Sequence, residues 1–207
     1  MAFGVRAGVN IANEHANPIP SGSSVGSAIG FIGGGQLDVW FNSMWAFSGQ
    51  LLYDQKGAAL NFSQSIFGTT VTGTSTIKRN YIEIPLTIKA QFGTGSVKPY
   101  VFAGPTIGIL LSASVHSVAN NGTNSSDTTE DAKSSYTSTD FGILFGAGAT
   151  FAINPTTSLF VEASYDYGLS NVSVNSTMTN PDGTTTTSNN TENTRDIRLM
   201  VGILFGQ

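Results

Sequence analysis

Residues 159–169 read "LFVEASYDYGL", and which side of this segment meets water decides the fold. Side chains on a strand point alternately to opposite faces. Leu159, Val161, Ala163, Tyr165, Tyr167 and Leu169 form one apolar set, whereas Phe160, Glu162, Ser164, Asp166 and Gly168 put two carboxylates on the other. The same two-residue period recurs along the chain, and helical periodicity is nowhere convincing. It predicts eight strands, at 2–13, 28–41, 46–57, 78–92, 98–112, 138–152, 158–171 and 194–206.

The connections alternate in length. "NSMW" (42–45), "GTGSV" (93–97) and "INPTT" (153–157) are short and carry turn residues. The segments 14–27, 58–77, 113–137 and 172–193 are long and rich in Ser, Thr, Asn, Gly and Asp. Short turns at one end and long polar loops at the other mark an up-and-down β-barrel of the outer-membrane type. A β-sandwich, the competing all-β arrangement, has no reason to gather every short turn at one end.

Composition narrows the function classes. With no cysteine, the chain has no disulfide framework, thiol nucleophile or cysteine–zinc site. Charged residues make up 11% of the chain, well below the ~25% of a typical soluble domain. A net charge of -4 gives no basic footprint for nucleic acid. No apolar run approaches the ~18 residues of a transmembrane helix. Met1 leads straight into "AFGVRAGVNI" with no signal sequence; the scarcity of charge favours a chain that begins at its mature region over a cytoplasmic one.

The apolar sets include Phe3, Val5, Ala7, Val9 and Ile11 in the first strand and Ile197, Leu199, Val201, Ile203 and Phe205 in the last, and they carry no charge. Such a set spans about 9–11 residues, which at ~3.3 Å per residue and a tilt of about 40° covers a band of roughly 25 Å. At the short-turn end the strands carry Phe3, Phe41, Phe47, Phe92, Phe151 and Phe205, with Trp45 in the first short turn. Aligned at one level, these read as an aromatic girdle at a membrane interface.

The opposite set is polar or tiny. Many glycines fill it, and with them sit Arg6, Asp38, Asp54, Lys56, Glu83, Lys89, Glu162, Asp166 and Arg198. A soluble surface carries about 25–35% charged residues, so this is a poor outer face and a suitable lining for a narrow barrel, whose interior side chains fill at about eight strands. The apolar set then faces lipid and the charges face the lumen, where they must pair, because an unpaired buried charge costs several kcal/mol. Heights counted from the phenylalanines suggest Arg6 with Asp38, Lys56 with Glu83, and Asp166 with Arg198.

Several segments then resemble a known family. "GVRAGVN", "YIEIPLTIKAQF", "KPYVFAGPTIGILLSA" and "DFGILFGAGATF", with "LMVGILF" at the end, are similar to the PorT-like outer-membrane β-barrels of Bacteroidota, small barrels of the OmpX/OmpA type. Glu83-Ile84-Pro85 and Tyr100 to Pro105 are the most specific elements. The resemblance covers all eight strands and leaves out the long loops. It implies one barrel over residues 1–207 in the outer membrane of a Gram-negative bacterium, and implies little about activity. Barrels of this class often end on an aromatic residue, whereas here Gly206 and Gln207 follow Phe205.

Catalytic chemistry is thin. His15 and His116 have no carboxylate at a recognisable spacing, and general acid–base or nucleophilic catalysis needs such a neighbour. Asp127, Glu130 and Asp131 read as a solvated acidic loop, with a loosely held Ca²⁺ as the alternative. The expectation is a non-enzymatic barrel without cofactor or metal, monomeric, in contact with lipopolysaccharide or phospholipid. Its loops serve surface contact, adhesion or envelope structure, with the extracellular ligand unspecified. The alternatives are a narrow channel or secretion accessory, and a soluble lipocalin-like ligand-binding barrel.

Overall fold

Period-two alternation with an apolar outer set and a polar inner one closes only as a ring, and the computed structural model is a ring of eight antiparallel strands. It describes residues 1–17, 23–66, 69–120, 125–173, 176–179, 185–188 and 191–206. In chain order the strands are β1 (Ala2–Asn17), β2 (Ser23–Trp40), β3 (Trp45–Ile66), β4 (Thr69–Gln91), β5 (Val97–Asn120), β6 (Ser125–Asp131), β7 (Thr139–Asn154), β8 (Thr157–Gly168), β9 (Ser176–Thr179), β10 (Thr185–Ser188) and β11 (Thr191–Phe205). The ring runs β1-β2-β3-β4-β5-β7-β8-β11 and returns to β1, where Phe3 faces Phe205. β6 adds to the far half of β5, and β9 pairs only with β10. Among the described residues there is no α-helix, only a 3-10 turn at Lys133–Ser135.

The short turns are held by the chemistry their sequences carry. Asn42 Oδ1 accepts from the backbone N–H groups of Met44 and Trp45, both at 2.8 Å. Asn154 Oδ1 does the same for Thr156 N at 2.9 Å. Gly93 supplies a φ of 85° at the 93–97 turn, a conformation open to glycine at little cost.

Six strands run further than the alternation suggests: β1, β2 and β11 by three to five residues, and β3, β4 and β5 by eight or nine. Residues 58–77, read as a loop, continue β3 and β4 as a paired ladder up to Ile66 opposite Thr69. β5 continues to Asn120, pairing with Thr72 of β4, and β6 then folds back on it, so 113–137 is largely strand as well. Stretches such as "TTVTGTSTI" are rich in β-branched threonine, which favours extended backbone. With water on both faces they carry no apolar alternation to read.

Orientation follows the two sets. Val5, Leu51, Val101, Phe145, Val161 and Leu199 are exposed on the outer wall, whereas Arg6, Leu52, Phe102, Leu144, Glu162 and Arg198 are buried inside. All seven girdle aromatics lie on the outside, from Phe41 at 64% exposed to Phe205 at 36%. Phe3 and Phe205 pack with ring centroids 5.6 Å apart across the strand closure. Glycines on the inner face make room for the rings there: a Cβ on Gly146 would sit 2.6 Å from Phe102, and one on Gly202 2.5 Å from Phe160.

Candidate functional site in the barrel lumen

The inward charges sort into two tiers. Nearer the short turns, Arg6 ion-pairs with Glu162, and Tyr100 donates its hydroxyl to Glu162 at 3.0 Å. Lys89 Nζ lies 2.7 Å from Asp38, and Gln36 Nε2 donates to both Asp38 oxygens at 3.1 Å. Aromatic faces complete the tier, with Arg6 over Phe160 at 5.2 Å and Lys89 over Tyr100 at 4.8 Å. Tyr100, Phe102, Leu144, Phe160 and Leu204 pack together there as an apolar cluster.

A smaller apolar cluster of Ile32, Leu52 and Met200 also lies in the lumen. Asn10 reaches across from β1 to donate to Asp54 at 2.8 Å.

The second tier is organised round two cations. Arg198 holds Glu83 in a two-pronged contact at 2.6 and 2.8 Å, Asp166 at 2.6 Å and Asp54 at 3.1 Å. Lys56 Nζ lies 3.2 Å from each of Glu83, Asp166 and Asp196 and 3.4 Å from Asp140. Ser170 and Thr194 donate to the two Asp140 oxygens at 2.8 and 3.1 Å. Toward the long-loop end, Arg79 pairs with Glu192 at 3.0 Å and lies under the Tyr136 ring at 4.8 Å. Planar guanidinium is suited to carboxylates met two-pronged, and a lysine ammonium to several oxygens at once.

The nine charges assigned to the lumen from sequence all have buried side chains, none more than 7% exposed. Lys56 with Glu83 and Asp166 with Arg198 are in contact. Arg6 and Asp38 are not partners. Arg6 stands opposite Gly34 on β2 and Asp38 opposite Ala2 on β1. The stagger between tilted strands sets the two charges at different heights, and each finds its partner across the lumen instead. Asp140, Asp196, Arg79 and Glu192 belong to the network and were not singled out from sequence. Their signal was available, since Asp140 shares the parity of Gly142, Asp196 that of Arg198, and Arg79 that of Glu83.

The loop residues read differently from their spacing. His116 Nδ1 lies 3.0 Å from Thr129 Oγ1 and 3.5 Å from Asp127 Oδ1, because pairing of β5 with β6 brings these residues together. Both contacts use the same ring nitrogen and both side chains are exposed, unlike a base oriented by one partner to act on another. Asp127, Glu130 and Asp131 lie exposed on β6, and no metal-holding group of acidic or histidine side chains is found among the described residues. The side chain of His15 lies outside the described residues.

The family described as "Outer membrane protein beta-barrel domain" matches residues 1–174. Among solved structures, the outer membrane protein OprG from Pseudomonas aeruginosa is similar with a TM-score of 0.54 at 12% identity, over 100% of this chain and 96% of that one. Neisserial surface protein A (NspA) is similar with a TM-score of 0.49 at 18% identity, over 100% and 99%. Ail, the attachment invasion locus protein of Yersinia pestis, has a TM-score of 0.41 at 14% identity, over 99% and 98%. At these identities the likeness to OprG is one of fold. No curated protein sequence matches the chain.

Proposed function

Because the chain belongs to the outer membrane protein β-barrel domain family and resides in the outer membrane, we propose that it is a closed, non-enzymatic scaffold that holds polar strands and loops at the cell surface. The observation that carries this reading is the double tier of ion-paired side chains across the lumen, all buried. Charges out of water persist where they neutralise one another, and a network tied by Arg198 and Lys56 to β3, β4, β7, β8 and β11 is also a plug. The apolar wall and the outer-membrane location replace the soluble lipocalin-like alternative.

Surface contact or adhesion through the elongated β3–β4 and β5–β6 hairpins is the use this architecture serves best. The resemblance to PorT-like barrels of Bacteroidota enters as part of this proposal, supported by Glu83-Ile84-Pro85, whose glutamate sits in the Arg198 cluster.

The test is conductance in planar bilayers. The full chain is expected to give no steady current of porin size, and such a current would overturn the plugged reading. One observation favours a second reading, a narrow cation pathway: around Lys56 and Arg198 stand Asp54, Glu83, Asp140, Asp166 and Asp196, more carboxylates than cations. Small, strongly cation-selective events would support it.

A further inference from the structure

The charges of the ring strands divide by face. The described carboxylates on them, Asp38, Asp54, Glu83, Asp140, Glu162, Asp166, Glu192 and Asp196, belong to the inward sets. Two cations point outward toward the long-loop end, Lys78 on β4 and Arg195 on β11. Arg195 lies ten residues from Phe205 along β11 (205 − 195), a climb of about 25 Å at ~3.3 Å per residue and a tilt of about 40°. That sets its guanidinium at the outer edge of the apolar band, where lipid headgroups begin.

The guanidinium is held in place, and no described side chain neutralises it. It stacks on Tyr167 at 3.7 Å from the ring centroid, and among the described residues no carboxylate pairs with it. Directly below, Ile197 pairs with Tyr165, and their side chains border an outward groove of about 820 Å³ that continues over Phe145, Ala163, Ala147 and Ala103. The groove is cut by small residues between larger ones and runs down toward Trp45 at the opposite interface. The exposed carboxylates that a second copy offers, Asp127, Glu130 and Asp131, stand on β6 beside residues 114–120 of β5, beyond the apolar band and out of line with Arg195. A lipid of the surrounding leaflet offers both a phosphate at that height and an acyl chain below it.

We propose that Arg195, seated on Tyr167, and the groove beneath it form a binding site for a phosphate-bearing, acylated lipid of the outer leaflet. The guanidinium takes the phosphate as a charge-assisted, two-pronged contact, and the groove takes one acyl chain. The site depends on the outer-membrane location and is independent of whether the lumen is plugged.

The test is native mass spectrometry of the full chain in detergent, titrated with diphosphoryl lipid A and, separately, with the same lipid stripped of phosphate. Arg195→Gln is expected to weaken retention of the phosphorylated lipid about five-fold, the worth of one basic residue at a headgroup, and to leave the stripped lipid unchanged. Ala147→Phe, which fills the groove, is expected to weaken both. Should Arg195→Gln fail to fold, Tyr167→Leu unseats the guanidinium and gives the same readout. Equal retention by wild type and the Arg195 or Tyr167 variant overturns the proposal. So does displacement of the lipid by millimolar inorganic phosphate, which marks a free-anion site, or a dimer mass lost with Ala147→Phe, which makes a second copy the occupant.

Discussion

The two tiers of the lumen solve one problem in different ways. Near the short turns the charges are matched one to one, Arg6 with Glu162 and Lys89 with Asp38, and aromatic rings shield each pair. Further up, Arg198 and Lys56 act as hubs that each hold several carboxylates, with Glu83 and Asp166 held by both. A pair fails locally. A hub fails for every group that leans on it, because removing one partner leaves the others as uncompensated buried charge. The upper tier therefore binds five strands into one unit, and the lower tier clips strands together two at a time.

The sharpest way to break this comparison is to remove one hub and one pair member. Arg198→Ala is expected to lower stability by roughly 3–5 kcal/mol, read as the urea midpoint of the heat-modifiable band in detergent. Lys89→Met is expected to cost less, since Asp38 keeps its two contacts from Gln36. An equal or larger loss at Lys89 would remove the distinction between hub and pair. Double substitution sharpens it. Asp38→Asn should recover much of the Lys89→Met loss, whereas Glu83→Gln should recover little in Arg198→Ala, because Asp54 is left with Asn10 alone and Asp166 has lost one of its two cations. Contact residues couple in this way by about 0.5–3 kcal/mol.

The outer wall gives the next effect in size. Leu86→Arg, midway along the apolar stretch of β4, is expected to cost about 2–4 kcal/mol. Ile109→Arg lies twelve residues beyond Val97 on β5 (109 − 97), near the headgroups, and is expected to cost about 0–1 kcal/mol. Equal costs in bilayer refolding titrations would reverse the inside–outside assignment or the depth scale. The smallest expected effect is at Thr87→Ser, which keeps an inward hydroxyl beside Leu86 and should shift the midpoint by under about 0.5 kcal/mol.

The ring and its strand parity were legible because one face of each strand meets a uniform apolar solvent. Every second residue between Phe3 and Ile11, or between Leu159 and Leu169, is under the same constraint, and a period of two survives in the sequence. The partners inside were less legible. Parity says that Arg6 and Asp38 point inward, but a lumen brings together side chains from strands far apart in sequence, and the stagger decides which meet. Arg6 and Glu162 are 156 residues apart. The long upper reaches of β4 and β5 were hidden for a different reason: in water, neither face of "TTVTGTST" is marked by hydrophobicity, whereas in β3 the alternation of Leu60, Phe62 and Ile66 with polar residues was there to be read.

Those upper reaches also set a load path. β3 and β4 stay in register from Ile66 opposite Thr69 down to Trp45 opposite Ala90, with a break in the ladder beside Pro85. A pull on the far end of this hairpin runs along both strands at once. It reaches their neighbours β2 and β5 through hydrogen bonds that lie across the line of force. Many rungs then share the strain in shear rather than opening singly. Midway down that path stand Lys56 and Glu83, one on each strand of the hairpin and 3.2 Å apart, so the load meets a clamp before it reaches the short turns.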